Sequence, residues 1–208
     1  IEPAMPSRQT VRRVYEHARH NVVSGLAGSL YGRLDKLLLG GFLTTGQVGY
    51  YQVAYQLASP GMFVAGSIMD ALLPKVSNLA SKGENVAGHF SNALSFASLI
   101  SIPILFGATV MPDRIVVTAF GTEYNEAGAY LIGLAMYKVV QTQTDVIQNF
   151  LSAMDRPDVN AKVNLVTVIV NILLGIALLL TYGGVGVVIA TVISEVVRYT
   201  GSAALLKR

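Results

Sequence analysis

Polar residues in this chain recur at helical spacing inside long apolar runs. The pattern is sharpest from Tyr137 to Asp155, YKVVQTQTDVIQNFLSAMD. At 100° per residue from Lys138, the positions Gln141, Thr142, Asp145, Gln148, Asn149 and Ser152 fall within an arc of about 120°. The rest of that helix surface is mostly Val, Ile, Phe, Leu, Met and Ala. Ionisable groups in lipid are costly unless they face a polar interior, so this stripe predicts one wall of a wet cavity.

Five more segments of membrane length surround it. The first, about 21–42, is interrupted by Arg33, Asp35 and Lys36 yet has flanks too apolar for a surface helix, and reads as a span with inward charges. Gly25, Gly28, Ser29 and Gly32 on nearby turns allow close helix approach. The second, about 48–74, carries Gln52, Gln56, Ser59, Ser67 and Asp70 on one face over about five helical turns. Pro60 and Gly61 predict a kink there, either a hinge or a static bend. After a loop, PKVSNLASKGE, the third span, about 90–111, has no charge and mainly serine as polar content; Pro103 predicts a second kink. The fourth, about 124–154, contains the opening stripe. The fifth, about 161–182, places Asn164, Asn171 and Gly175 at helical spacing, and a tight TYGGVG turn leads to the sixth, about 185–206. There Thr191, Glu195, Arg198 and Ser202 share a face, with Glu195 and Arg198 at pairing distance in the helix.

Composition agrees with this pattern. Hydrophobic residues make up 52% of 208 and charged residues 13%, and mean hydropathy is +0.53, about half the charge of an ordinary soluble domain. Net charge is +3. Clustered basic residues occur only in residues 1–20, where Arg8, Arg12, Arg13 and Arg19 interleave with Val11, Val14, Tyr15 and Ala18 as an amphipathic lead-in suited to a cytoplasmic membrane face. A nucleic-acid partner is thereby set aside. His17 and His20 lack accompanying acidic or thiol ligands and read as solvated. With no cysteine, there are no disulfides or thiolate metal sites.

Basic residues beside the spans set an orientation. Arg8, Arg12, Arg13, Arg19, Lys75, Lys82, Arg156, Lys162, Lys207 and Arg208 flank one side, and Arg114 the other. The positive-inside rule then puts both ends in the cytoplasm with six spans between them. The chain begins at Ile1 and has no signal-peptide order, which predicts an excerpt from a longer protein.

The chemistry expected of the cavity is binding. Arg suits phosphate or carboxylate through paired hydrogen bonds, Lys adds a point charge, and Gln52, Gln56, Gln141 and Gln148 offer donors and acceptors for sugar hydroxyls. Asp35, Asp70 and Asp145 read equally as local ion pairs or as substrate- or ion-coupling groups. No metal spacing, phosphate loop, GxSxG or long extramembrane loop appears, so transport is favoured over catalysis and no cofactor is expected.

Three stretches also carry a family resemblance: LDKLLLGGFLTTGQVGYYQVAYQLASP, MDALLPKVSNLASKGE and FGTEYNEAGAYLIGLA. In order and spacing they resemble the polysaccharide transporter family, the O-antigen flippase-like branch of the multidrug/oligosaccharidyl-lipid/polysaccharide exporter superfamily. The resemblance covers roughly residues 35–134. It implies a flippase that moves undecaprenyl- or dolichyl-type lipid-linked oligosaccharides across the cytoplasmic membrane by alternating access between two lobes. This chain departs from that pattern by half a molecule. Its motifs place it as the second, C-terminal lobe, with residues 1–20 resembling the connection from the first. The resemblance supports Arg33, Asp35 and Lys36 by position only; the other stripe residues rest on periodicity.

The expectation is therefore an all-α integral membrane six-helix bundle, one lobe of a two-lobe exporter, in the cell membrane. Its partners would be membrane lipid, a lipid-linked oligosaccharide and a missing N-terminal half or a second copy. Arg33, Lys36, Lys138 and Arg198 would contact a sugar-pyrophosphate, the four glutamines its hydroxyls, and Asp70, Asp145 and Glu195 would balance charge or couple to ions. Three rivals stand: a drug/cation antiporter of the same superfamily, a membrane-embedded glycosyl-transferring enzyme, and an inactive half-length partner.

Overall fold

A computed structural model describes residues 35, 36 and 38–206, with the backbone alone at 64 and 65. The basic lead-in, Arg33, most of the first predicted span, Lys207 and Arg208 lie outside the described residues. Helical residues 38–42 lead into α1 (Thr45–Ala58), α2 (Pro60–Ser81), α3 (Ala87–Val110), the short α4 (Pro112–Phe120), a 3-10 turn (Thr122–Tyr124), α5 (Ala127–Ala153) and α6 (Pro157–Leu206). Among the described residues all regular structure is helical.

The 50-residue α6 is two arms rather than one rod. Gly183 breaks it with φ 61° and ψ −143°, a left-handed conformation that glycine adopts without steric cost. Beyond the break the arms run back along each other: Asn171 bonds Thr191, and Arg198 bonds Asn164, pairs placed symmetrically about the turn. Gly186 permits the tight return, since a Cβ there would collide with the backbone carbonyl of Leu178. The arms, 157–182 and 184–206, are each long enough to cross a bilayer. By length and apolarity α3 and α6 qualify as membrane spans, and α1 with α2 qualify together as one span bent by 46°. The polar stripe of α5 lowers its hydropathy, although its 27 residues are ample in length.

α5 is the hub, packing against every other named helix. Toward its N-terminal end the core joins Tyr51, Ala54 and Ala58 of α1 to Tyr130, Leu134 and Tyr137 of α5 and to Leu179, Val187 and Val188 of α6. Toward its C-terminal end Val146 and Phe150 meet Met69 and Val76 of α2 and Ala93 and Ala97 of α3. Small residues at the α3 contact, Ala93, Ala97, Ser101 and Ala108, let the backbones approach. Leu99 and Phe106 of α3 and Leu165, Leu173 and Leu180 of α6 are exposed, as suits surfaces that meet lipid tails rather than water.

The structure alters three local expectations. Pro60 does not kink a continuous helix; it stands at the start of α2, where its missing N–H costs nothing, and the bend is a break at Ser59. The expected loop after Pro74 is helical as far as Ser81. Helix α2 stops only at Gly83, φ 72°, where Glu84 N–H bonds Leu79 O and Gly83 N–H bonds Ala80 O, closing the open carbonyls. The polar link after Met111 contains α4, an unpredicted helix that begins with Pro112. Pro103 lies inside an unbroken α3.

Basic residues gather at one end of the bundle. The α2 terminus shares a cleft with Ser152–Asp155 at the end of α5, and Arg156 donates to Leu205 O at 3.3 Å. This brings Lys75, Lys82, Arg156, Lys162 and the end of α6 to one side. Arg114 sits in α4, whose Asp113 lies against Gly128 at the opposite end of α5.

Candidate functional site

The α5 stripe meets its neighbours in one polar cluster and a groove, and a second polar cluster joins Asp35 to α1 and α6. The first cluster centres on Arg198 of the second α6 arm. Its Nη2 donates to Gln148 Oε1 at 2.8 Å and lies 3.3 Å from Asp145 Oδ1, its Nε donates to Asn164 Oδ1 at 3.0 Å, and its Nη1 lies 3.3 Å from Glu195 Oε1. Gln148 Nε2 donates to Asn164 Oδ1 at 2.9 Å and to Ser202 Oγ at 3.3 Å, while Asn160 Nδ2 donates to the Gln148 carbonyl at 2.8 Å. Glu195 is fully buried. One guanidinium thus serves two carboxylates and two amides from α5 and both arms of α6, satisfying groups that would be costly alone in lipid.

The second cluster surrounds Asp35, which is 5% exposed. Tyr51 donates its hydroxyl to Asp35 Oδ2 at 2.6 Å, and Thr191 Oγ1 lies 2.9 Å from both carboxylate oxygens. Asn171 Nδ2 reaches Thr191 Oγ1 at 3.4 Å. No described basic side chain is within ion-pair distance of this carboxylate. Two negative groups of the same type therefore have different environments: Asp145 has a guanidinium, and Asp35 has hydroxyls.

The groove lies between the α1–α2 break and α5. One chamber, of about 530 Å³, is lined by Gln52, Tyr55, Gln56, Ser59, Met62, Phe63 and Lys138. Lys138, near the middle of α5, is 3% exposed at its floor. The ammonium stands 4.0 Å from the centre of the Tyr55 ring and 5.2 Å from that of Tyr137, donates to Gln141 Oε1 at 3.0 Å and lies 2.8 Å from Met62 Sδ. Ring faces compensate part of its lost hydration. A second chamber, of about 290 Å³, is lined by Met62, Gly66, Met69, Thr142, Asp145, Val146, Gln148 and Asn149. Met62 belongs to both, so the chambers adjoin.

The structure thus brings together most of the residues singled out by periodicity. Gln52, Gln56 and Lys138 share the first chamber, with Gln141 bonded to Lys138; Asp145 and Gln148 line the second and tie it to Arg198 and Glu195. Lys36 is exposed, with its ammonium 5.6 Å from the Tyr55 ring centre. Asp70 is exposed on α2 and lines neither chamber, which departs from its expected place in the cavity. The residues missed were Tyr51, Tyr55 and Met62. For the two tyrosines the signal was present: YYQVAYQ repeats Tyr at i, i+4, each one position ahead of a glutamine. Among the described residues no three His, Asp or Glu side chains converge as metal ligands.

Known proteins resemble the chain along nearly all of its length. Residues 2–129 match the family described as "Polysaccharide biosynthesis protein". The "Probable low-salt glycan biosynthesis flippase Agl15" of Haloferax volcanii is 31% identical over 91% of this chain and 40% of its own length. The same organism's "Probable flippase AglR" is 27% identical over 91% of this chain and 40% of its own. The solved structure "Lipid II flippase MurJ, inward closed conformation" superposes with a TM-score of 0.76 at 20% identity, covering 96% of this chain and 43% of that one. The chain therefore spans less than half the length of these relatives, and its fold is that of a helical membrane lobe. With a family match over more than half of its residues and apolar helices arranged in that fold, the chain belongs to the polysaccharide biosynthesis protein family of multi-pass membrane proteins.

Proposed function

We propose that this lobe takes part in flipping lipid-linked oligosaccharide or polysaccharide precursors across the cytoplasmic membrane. One observation carries the proposal: a buried lysine near the middle of α5, Lys138, forms the floor of a groove otherwise lined by glutamine, serine, tyrosine, methionine and phenylalanine. A buried cation whose partners among the described residues are all neutral is suited to a mobile anion, here a pyrophosphate, while Gln52 and Gln56 take sugar hydroxyls. The lipid tail stays in the bilayer against the apolar outer surfaces. The names of the relatives, flippases of glycan biosynthesis and of lipid II, support this substrate class. They also favour transport over a glycosyl-transferring enzyme.

Arg198, engaged by four side chains, serves this reading as a positioning residue for Asp145 and Gln148. Asp35 is the coupling carboxylate, because a buried charge with no basic partner among the described residues calls for a proton or a bound cation for balance. Alternating access would need a second lobe, either an N-terminal half or another copy. The gathering of Lys75, Lys82, Arg156 and Lys162 at one end supports a cytoplasmic location for that end.

In proteoliposomes carrying the protein and a fluorescent prenyl-diphosphate oligosaccharide, Lys138→Met should slow transbilayer movement at least about tenfold with little change in thermal midpoint. Unchanged movement would overturn the proposal. Asp35→Asn should leave residual movement that no longer responds when ion gradients are collapsed; a full response would remove Asp35 from coupling.

A further inference from the structure

The two chambers of the groove differ in charge. Lys138 supplies a cation to the first. The second receives Asp145, whose side chain is 36% exposed, and its only guanidinium partner among the described residues, Arg198, is shared with buried Glu195. From the facing side α2 contributes Met62, Gly66 and Met69, which carry no charge to offset it. Among the described groups bonded around this chamber two carboxylates thus face one guanidinium, and the nearest further cation, Lys138, belongs to the first chamber. Asn149 adds an amide with no hydrogen bond to any described residue. Lys138 and Asp145 lie about two helical turns apart on one face of α5, roughly 10 Å along its axis, and Met62 lines both chambers.

Building on the flippase reading above, we infer that Asp145 is a specificity-determining residue: the Lys138 chamber takes the diphosphate, and the Asp145 chamber takes an uncharged, hydroxyl-bearing sugar and rejects an acidic one. Hydroxyls can donate to the Asp145 carboxylate and both donate to and accept from the Asn149 amide, whereas a sugar carboxylate offers only acceptors and a like charge. Like charges repel strongly in a site of low dielectric, and such repulsion is an efficient source of discrimination. At about 290 Å³ the chamber is at the small end of ligand pockets, which suits one sugar ring better than a long glycan.

The test is binding of two synthetic ligands, farnesyl-diphosphate-glucose and farnesyl-diphosphate-glucuronic acid, to the full protein in nanodiscs. The glucose ligand should bind at least about tenfold more tightly. Asp145→Asn should bring the two affinities together, Asn149→Asp should widen the gap, and Lys138→Met should weaken both alike. Equal wild-type affinities that Lys138→Met still reduces would overturn the selectivity and leave the flippase reading standing. Affinities that Lys138→Met leaves unchanged would overturn that reading as well. Asn149 lies outside the Arg198 network, so if Asp145→Asn does not fold, an unchanged ratio in Asn149→Asp overturns the inference by itself.

Discussion

Helices α3 and α5 lie side by side, similar in length, and both carry many polar residues, yet they use them in opposite ways. In α3, Ser95, Ser98, Ser101 and Thr109 each donate to a carbonyl four residues back in the same helix. In α5, Lys138, Gln143, Asp145 and Gln148 reach other helices, as when Gln143 Nε2 donates to Ser98 Oγ at 2.8 Å. Short hydroxyl side chains of α5 behave like those of α3: Thr144 and Ser152 also bond their own helix. Side-chain length is therefore the deciding variable. A serine satisfies itself locally and leaves a small, packable surface, whereas a glutamine or lysine in lipid must find a partner elsewhere, and so builds a site.

Substitutions can break this contrast, and their expected sizes differ. Replacing Arg198 by Leu strands Asp145 and buried Glu195 without their cation and should cost about 3–5 kcal/mol, read as a collapse of thermal stability in detergent. A loss under 1 kcal/mol would mean that the cross-helix network is not what holds α5 to α6. Gly186→Ala places a methyl against the Leu178 carbonyl and should cost about 3 kcal/mol through overpacking; hydrogen exchange should show the turn between the two arms opening first. At the other extreme, Ser95→Ala removes an exposed, purely local bond and should change stability by less than about 0.5 kcal/mol. A large effect there would erase the distinction between the two helices.

Most of the site was legible because helical periodicity is a property of the chain alone. The stripe of α5 up to Asn149, the Asn164 and Asn171 pair and the row Thr191, Glu195, Arg198 and Ser202 proved to be buried or partly buried, whereas Ser152 at the end of the stripe is exposed. Asp70 shared a face with Gln52 on a straight helix, but the break at Ser59 turns α2 by 46° relative to α1 and takes Asp70 away from the groove. Helix α4 was hidden in a polar link too short for a period to emerge. Tyr55 was passed over because an aromatic residue in an apolar run reads as core until a cation is seen above its ring.

Sequence by itself determined the class of molecule: apolar runs of membrane length fix a helical membrane protein, because only helices and closed barrels satisfy the backbone in lipid. It also determined most of the inward-facing residues within each straight helix, since that follows from 3.6 residues per turn; Asp70, beyond the break at Ser59, is the exception. Tertiary structure alone decided which inward residues are spent on each other. Arg198 and Lys138 were both expected to contact substrate, and only the Glu195 partner of Arg198 was legible in the chain; the return of the second α6 arm sets Arg198 also among Asp145, Gln148 and Asn164, and the bend before Pro60 leaves Lys138 among a thioether, an amide and two aromatic rings. Partner choice depends on contacts between residues distant in sequence, and no local period encodes it.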